Sequence, residues 1–343
     1  MAKRDTSFME AVAKLKKHKL YPGPVLIILA TSSTVWATQE AAEQFKGAEM
    51  KLESLNFLDV VRHFESLPVA EIVRIYGAIG GVPAYLDKWD AAKSFKDNIC
   101  RLVLTPSGAL YGEADAVISS ELRELSAYST ILAAIARGEN KLNDIFHATG
   151  FSRAKISVYL KNLATFNIVE KVVSFETGGW ENAKKGVYQI KDTFVNFWFK
   201  FVYPNMSNLY LLSPEEFYDT YIEKELDAYL ERYFREVCTE YLLILNQMGQ
   251  LPFTIKRVGT WIGKTGRIDI VAQSEDRRSI IGFCNWDKPM MTMDMCENMA
   301  MAMEQARLTS DDYYLFSATD FEPALQSYVV RDPRFKLINM NEL

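Results

Sequence analysis

The period of the apolar pattern changes near residue 250, and that change limits the fold more than any single motif does. From about residue 57 to 248, hydrophobic positions recur mostly at helical spacing. Beyond 250 the signals are short β-branched and aromatic runs: Phe253–Val258, Arg267–Ala272, Ser279–Trp286, Tyr313–Ser317 and Phe335–Asn339. Helical stretches near 293–307 and 321–330 separate the last of them. This order predicts an α/β domain with a mixed sheet. At the other end, residues 6–19 read as an amphipathic helix carrying Phe8, Val12 and Leu15, closed by a Pro22-Gly23-Pro24 turn. Val25–Leu29 then predicts a parallel strand buried on both faces, and Leu52–Phe57 a further short strand. Residues 57–66 and 68–78 read as helices, the second opening at Pro68, and Gly80-Gly81-Val82-Pro83 as a turn into a mostly helical stretch to about 125.

Ser126–Lys191 is the most organised segment. Helices are predicted over Ser129–Arg137, over Lys141–Thr149 with Gly150 as its stop, and from a Ser152 cap to Phe166. Ile168–Phe175 and Gly186–Ile190 flank a Gly178-Gly179 turn and pair as a hairpin. Three helices followed by a two-stranded wing is the pattern of a winged helix-turn-helix. Its third helix would face the core with Ile156, Leu160 and Leu163 and present Arg153, Lys155, Ser157, Lys161 and Asn162 outward, while the wing carries Lys184 and Lys185. This segment holds nine Lys/Arg against five Asp/Glu in a chain whose net charge is −5. A basic island in an acidic chain points to a polyanion, although a solvated surface accounts for the charge alone equally well.

Composition excludes several classes. With 343 residues, 49% apolar and 24% charged, the chain suits two or three packed domains and neither a disordered nor a low-complexity protein. No apolar run approaches the ~18 residues of a bilayer helix. The N-terminus leads into a charged amphipathic segment and not a signal sequence, so a soluble, cytoplasmic protein is expected. Cys100, Cys238, Cys284 and Cys296 form no CxxC pair, and His18, His63 and His147 are scattered, which argues against a disulfide framework, a zinc site and a histidine-dependent triad. The aromatic run Phe194, Phe197, Trp198, Phe199, Phe201 and Tyr203 reads as core. So do the seven methionines between Met290 and Met303, with a partner-facing patch as the alternative.

Several segments resemble the archaeal-type AAA+ ATPases that carry a winged helix and a C-terminal restriction-endonuclease-like, PD-(D/E)XK-type domain. Gly80-Gly81-Val82-Pro83-Ala84-Tyr85-Leu86 resembles the lid motif of that family, and Tyr128–Gly138 its first winged-helix segment. Tyr188-Gln189-Ile190-Lys191-Asp192 with Phe197-Trp198-Phe199 is similar to the signature that closes the wing. Gly266–Ala272 is similar to the nuclease-domain strand, and Ile27–Ser33 to the sensor strand. The resemblance implies an α/β and α+β multidomain chain. Its parts would be a truncated ATPase remnant (1–66), a helical lid (67–125), the winged helix (126–191), a helical connector (192–248) and a restriction-endonuclease-like mixed sheet (249–343).

The same resemblance marks what is missing. The family's P-loop has no counterpart. Gly259–Thr265 is one residue short of it and precedes a strand, so no helix N-terminus would meet a phosphate. The family's arginine-bearing segment corresponds to Phe45-Lys46-Gly47-Ala48, with alanine at the arginine position. In the nuclease motif Asp269 holds the first position, but the following Glu-x-Lys is Phe283-Cys284-Asn285. Phenylalanine cannot ligate Mg²⁺ and asparagine carries no charge. Glu236, Glu240, Asp287 and Lys288 are the remaining residues that could stand in.

The sequence therefore predicts a non-catalytic DNA-binding protein with no cofactor and no metal, using Arg153, Lys155, Ser157, Lys161, Lys184 and Lys185. The alternative is an interaction subunit that completes a separate nucleotide-binding protein or self-associates, with the winged helix as a packing module. A residual nuclease centred on Asp269 is a third possibility.

Overall fold

In a computed structural model the described residues are 6–17, 26–31, 50–120, 122–175, 186–263 and 266–343. The chain divides into two compact units, residues 1–53 and 54–343. The first contains helix α1 (Thr6–Lys17). Residues 26–31 take no regular structure, and Leu26 and Ile28 are 84% and 79% exposed. The buried parallel strand predicted over Val25–Leu29 therefore does not form in its described part; Val25 and the Pro22-Gly23-Pro24 turn lie outside the described residues. A strand apolar on both faces needs strands beside it and layers above and below, and the described residues of this unit supply no other strand. The sensor-like Ser32 and Ser33, and Phe45–Ala48, also lie outside the described residues.

Residues 50–56 take no regular structure, so the strand predicted at Leu52–Phe57 does not form. Asn56 caps α2 (Phe57–His63) by accepting the Asp59 N–H. Helix α3 (Val69–Ile79) follows Pro68 and ends at Gly80, whose φ of 68° suits glycine. At the next residue two backbones touch: the Leu55 N–H donates to the Gly81 carbonyl at 2.8 Å, and a Cβ on Gly81 would lie 1.9 Å from the Leu55 carbonyl oxygen. Helices α4 (Phe95–Ile99) and α5 (Glu113–Ser119) continue the layer, with a π-helical turn at Cys100–Leu104.

Helices α6 (Leu125–Ala136), α7 (Leu142–Thr149) and α8 (Arg153–Thr165) pack on one another through Ile131, Leu132, Ile145, Ile156, Leu160 and Leu163, all buried. Strands β1 (Val169–Val173) and β2 (Gly186–Ile190) follow as an antiparallel ribbon, with Val169 opposite Ile190 and Val173 opposite Gly186. Gly178-Gly179 lies outside the described residues. Helix α9 (Thr193–Phe197) runs into a π-helical turn at Trp198–Val202, and Phe194, Phe197, Trp198, Phe199 and Phe201 are core residues, as the sequence predicts. Helix α10 (Pro214–Tyr221) opens with a Ser213–Glu216 capping box.

The 25-residue helix α11 (Glu223–Gln247) leads to a five-stranded mixed sheet. Its strands are β3 (Arg257–Ile262), β4 (Arg267–Gln273), β5 (Ser279–Asn285), β7 (Asp312–Ser317) and β9 (Phe335–Asn339), adjacent in that order. The first three pair antiparallel and the last three parallel. The short strands β6 (Met290–Met291) and β8 (Asp320–Phe321) pair separately. The first strand begins at Arg257, later than the predicted Phe253–Val258. Phe253 and Ile255 are buried without being paired, so burial alone accounts for their apolar character.

Helices α12 (Met293–Ala306) and α13 (Pro323–Arg331) supply the two parallel crossovers, and their buried residues share one core under one sheet face. Successive crossovers that advance in one direction place their helices on the same side. The other face carries α11, with Phe234 against Trp286 and Tyr241 against Phe316. Met291, Met299 and Met303 fill the α12 side, whereas Met290 and Met301 are exposed. No helix among the described residues is long and apolar enough to cross a membrane.

The Gly81 contact is backbone against backbone, so no side-chain rotation can relieve it. Gly81→Ala should lower the unfolding free energy by about 2–3 kcal/mol in urea titrations of the whole chain. A change under about 0.5 kcal/mol would contradict that packing.

Candidate functional site

Helix α8 starts where Gly150, with φ of 70°, ends α7 and Ser152 accepts the Lys155 N–H. Arg153, Ser157 and Lys161 are exposed on it and Lys155 is half-buried. The Arg153 guanidinium lies over the Phe146 ring, 4.0 Å from its centroid, and donates to Asn143 Oδ1. The Lys155 ammonium sits 4.4 Å from the Phe151 centroid and 5.3 Å from that of Tyr159. Such placement keeps a cation over apolar surface without neutralising it. Among the described residues none of Arg153, Lys155 and Lys161 forms an ion pair. Asn162 points inward, donating to the Tyr128 hydroxyl at 2.8 Å. Tyr159 donates to the Glu124 carboxylate, which pushes the phenol up to about 12. Lys184 and Lys185 lie outside the described residues.

The ribbon is fastened at both ends. On α11, Arg232 donates to the Ile190 carbonyl and to Glu236, each at 2.8 Å. Beyond β1, the Phe175 N–H donates to the Thr260 carbonyl at 2.8 Å, and Ser174 Oγ accepts the Ile262 N–H at 2.9 Å. The chain leaving β1 thus covers part of the edge of β3, which would otherwise expose its backbone groups. The Phe175 side chain is buried in the α12-side core.

Asp269 sits on β4 with its side chain 5% exposed. Its Oδ1 accepts from Nε of Arg235 on α11 and from Nε of Arg267, both at 2.9 Å, and its Oδ2 accepts the Cys284 N–H at 3.1 Å. Glu236 pairs with Arg232, and Glu240 accepts the Phe57 and Leu58 N–H groups at the start of α2. Asp287 and Lys288 pair with each other at 2.7 Å. None of the expected stand-ins therefore joins Asp269. Burial, with Asp287 next, raises the Glu231 carboxyl above its ordinary range, opposed by Arg267 and Arg235. Asn285 turns to Ser317 and to the Lys288 carbonyl. Mg²⁺ needs several anionic or carbonyl oxygens in octahedral array. Here the central carboxylate already has two guanidinium partners, and no group of three or more His, Cys, Asp or Glu among the described residues could hold a metal ion. The residues do not fit the divalent ion that the resemblance implies. The Gly259–Gly263 stretch lies mostly in β3 and turns into β4, with the Gly263 N–H donating to Gly266, so a strand and no phosphate-binding helix follows it.

Sequence reasoning singled out Asp269 but missed its partners. Arg267 stood in the strand motif, and Arg235 lies three residues after Arg232 on one helix face, a spacing that could have drawn attention to both. Phe146 and Phe151, which support the α8 cations, carried no separate signal.

The signature of the DUF234 family, described as archaeal and bacterial proteins of unknown function, matches residues 198–304. That span holds α11, Asp269, Arg267 and Cys284 but not α6–α8. MJECL04, an uncharacterized protein of Methanocaldococcus jannaschii, is 29% identical over 276 residues, which is 80% of this chain and 61% of the relative. The chain thus spans about three fifths of that relative's length. No solved structure matches the chain.

Arg235→Leu should destabilise the fold by about 3 kcal/mol, because it leaves a buried carboxylate short of a partner. The double variant Arg235→Leu/Asp269→Val should recover most of that loss, since replacing both members removes the desolvated charge. Additive losses in chemical denaturation would contradict a mutual pair.

Proposed function

We propose that this protein binds double-stranded DNA without cleaving it, with α6–α8 and the β1–β2 ribbon acting as a winged helix. In this reading α8 enters the major groove. Ser157 and Lys161 face base edges and phosphates, Arg153 and Lys155 flank them, and Lys184 and Lys185 on the wing meet the backbone. The observation that carries the reading is the open, cation-bearing face of α8: exposed Arg153, Ser157 and Lys161, with no ion pair to any described carboxylate. The sheet supports a restriction-endonuclease-like ancestry through its mixed topology and the position of Asp269, and the arginine pair on Asp269 supports loss of cleavage.

A second reading, an interaction subunit or a self-associating protein, draws on Leu26, Ile28, Met50 and Leu52, each at least 79% exposed. Apolar side chains so exposed favour a protein partner or a second copy.

Fluorescence anisotropy on a labelled duplex over a salt series separates the two readings. DNA binding through α8 predicts a log–log salt slope of about −3 to −4 and a shallower slope, by about 0.9, for Lys161→Ala. Affinity indifferent to salt, or none at micromolar protein, would overturn it. In the same preparation, plasmid nicking with Mg²⁺ or Mn²⁺ should stay at background for wild type and Asp269→Ala alike.

A further inference from the structure

One exposed side chain on α8 does not suit a solvated helix surface. Val158 is 57% exposed at mid-helix. Valine is a poor helix former, and an exposed one gains nothing from packing to offset that. Successive helical residues are about 100° apart. The buried residues Ile156, Tyr159, Leu160 and Leu163 define the inner side of α8. The opposite arc then carries Ala154, Lys161 and Thr165, with Val158 beside them and Ser157 and Arg153 on the other flank. Ala154 and Val158 are one turn apart and both exposed, so they form a small apolar stripe within a cationic face.

The surroundings select the partner. The stripe is bordered by Lys161 on one side and by Lys155 on the other, and neither is paired with a described carboxylate. A surface that combines unpaired cations with a small apolar stripe complements a polyanion with isolated methyl groups better than it complements an apolar protein groove. Duplex DNA has that character: the major groove exposes the thymine C5-methyl, which alanine and other small apolar groups contact. A-form RNA does not offer it, because its major groove is too deep and narrow for side chains to read.

We propose that Val158, backed by Ala154, reads the C5-methyl group of thymine in the major groove, so that the protein prefers sites with thymine at one or two fixed positions. This inference rests on the DNA-binding reading and names a base specificity for the same face.

The test begins with the full chain and selection of a preferred duplex from a random pool. Each thymine in that duplex is then replaced singly by deoxyuridine, which keeps the pairing and O4 acceptor and lacks only the methyl group. At one or two positions the wild type should lose about fourfold in affinity. Val158→Ser should bind thymine and deoxyuridine duplexes equally at those positions, while its melting temperature stays at the wild-type value because the residue is exposed. Wild-type affinity unmoved by deoxyuridine at every thymine would overturn the inference and leave DNA binding standing. So would a thymine preference kept intact in Val158→Ser, or affinity for DNA unaffected by Val158→Asp, the result expected if a protein covers this stripe. Failure to bind any duplex in the pool would overturn the DNA-binding reading together with this one.

Discussion

Helix α11 holds the second unit together, and it does so with charge as well as apolar surface. Leu230, Tyr233, Phe234, Val237, Cys238 and Leu242 are buried along it. Arg232 reaches the ribbon, Arg235 reaches Asp269 on the sheet, and Glu240 caps α2. Tyr229 donates to the Gly77 carbonyl, tying in α3. A buried ion pair contributes little net stability over an apolar pair of the same volume. What it adds here is direction: a guanidinium with a carboxylate and a backbone carbonyl in reach fixes how the sheet and the ribbon lie against one helix.

That arrangement bears on chemistry. A nuclease of this kind would gather carboxylates around a metal ion, but around Asp269 two arginine Nε groups and a backbone N–H occupy its oxygens. The carboxylates of the preceding helix are used elsewhere, Glu236 on Arg232 and Glu240 on a helix N-terminus. In the same unit, α8 carries Arg153, Lys155 and Lys161 with no ion pair to a described carboxylate. The contrast between neutralised charge at the sheet and available charge on the helix is the physical ground on which binding of a polyanion without cleavage is proposed.

How much of this could be read in the sequence depended on how local the deciding interactions are. The Ser152 cap, the Gly150 stop and the buried positions of α8 follow from residues within a few places of each other, and each element formed where expected. The ribbon and most strands of the sheet followed from alternation and turn residues. Leu26–Leu29 misled because an apolar run specifies burial only if other strands are present, and the described residues of that unit supply none. Phe253–Val258 misled because Phe253 and Ile255 pack without pairing. Asp269 was visible through its motif, but Arg235 lies 34 residues away and no short-range pattern connects the two. Val158 was hidden for a different reason: the proposal about it rests on exposure, and exposure is set by the helices behind it.

Photo-crosslinking of the full chain to duplex DNA, followed by mass-spectrometric mapping of the attached peptides, meets the central idea most directly. The adducts should concentrate on the peptide that contains residues 153–165 and disappear at high salt. Adducts confined to the strands and helices of the C-terminal sheet, or spread evenly over the surface, would contradict it.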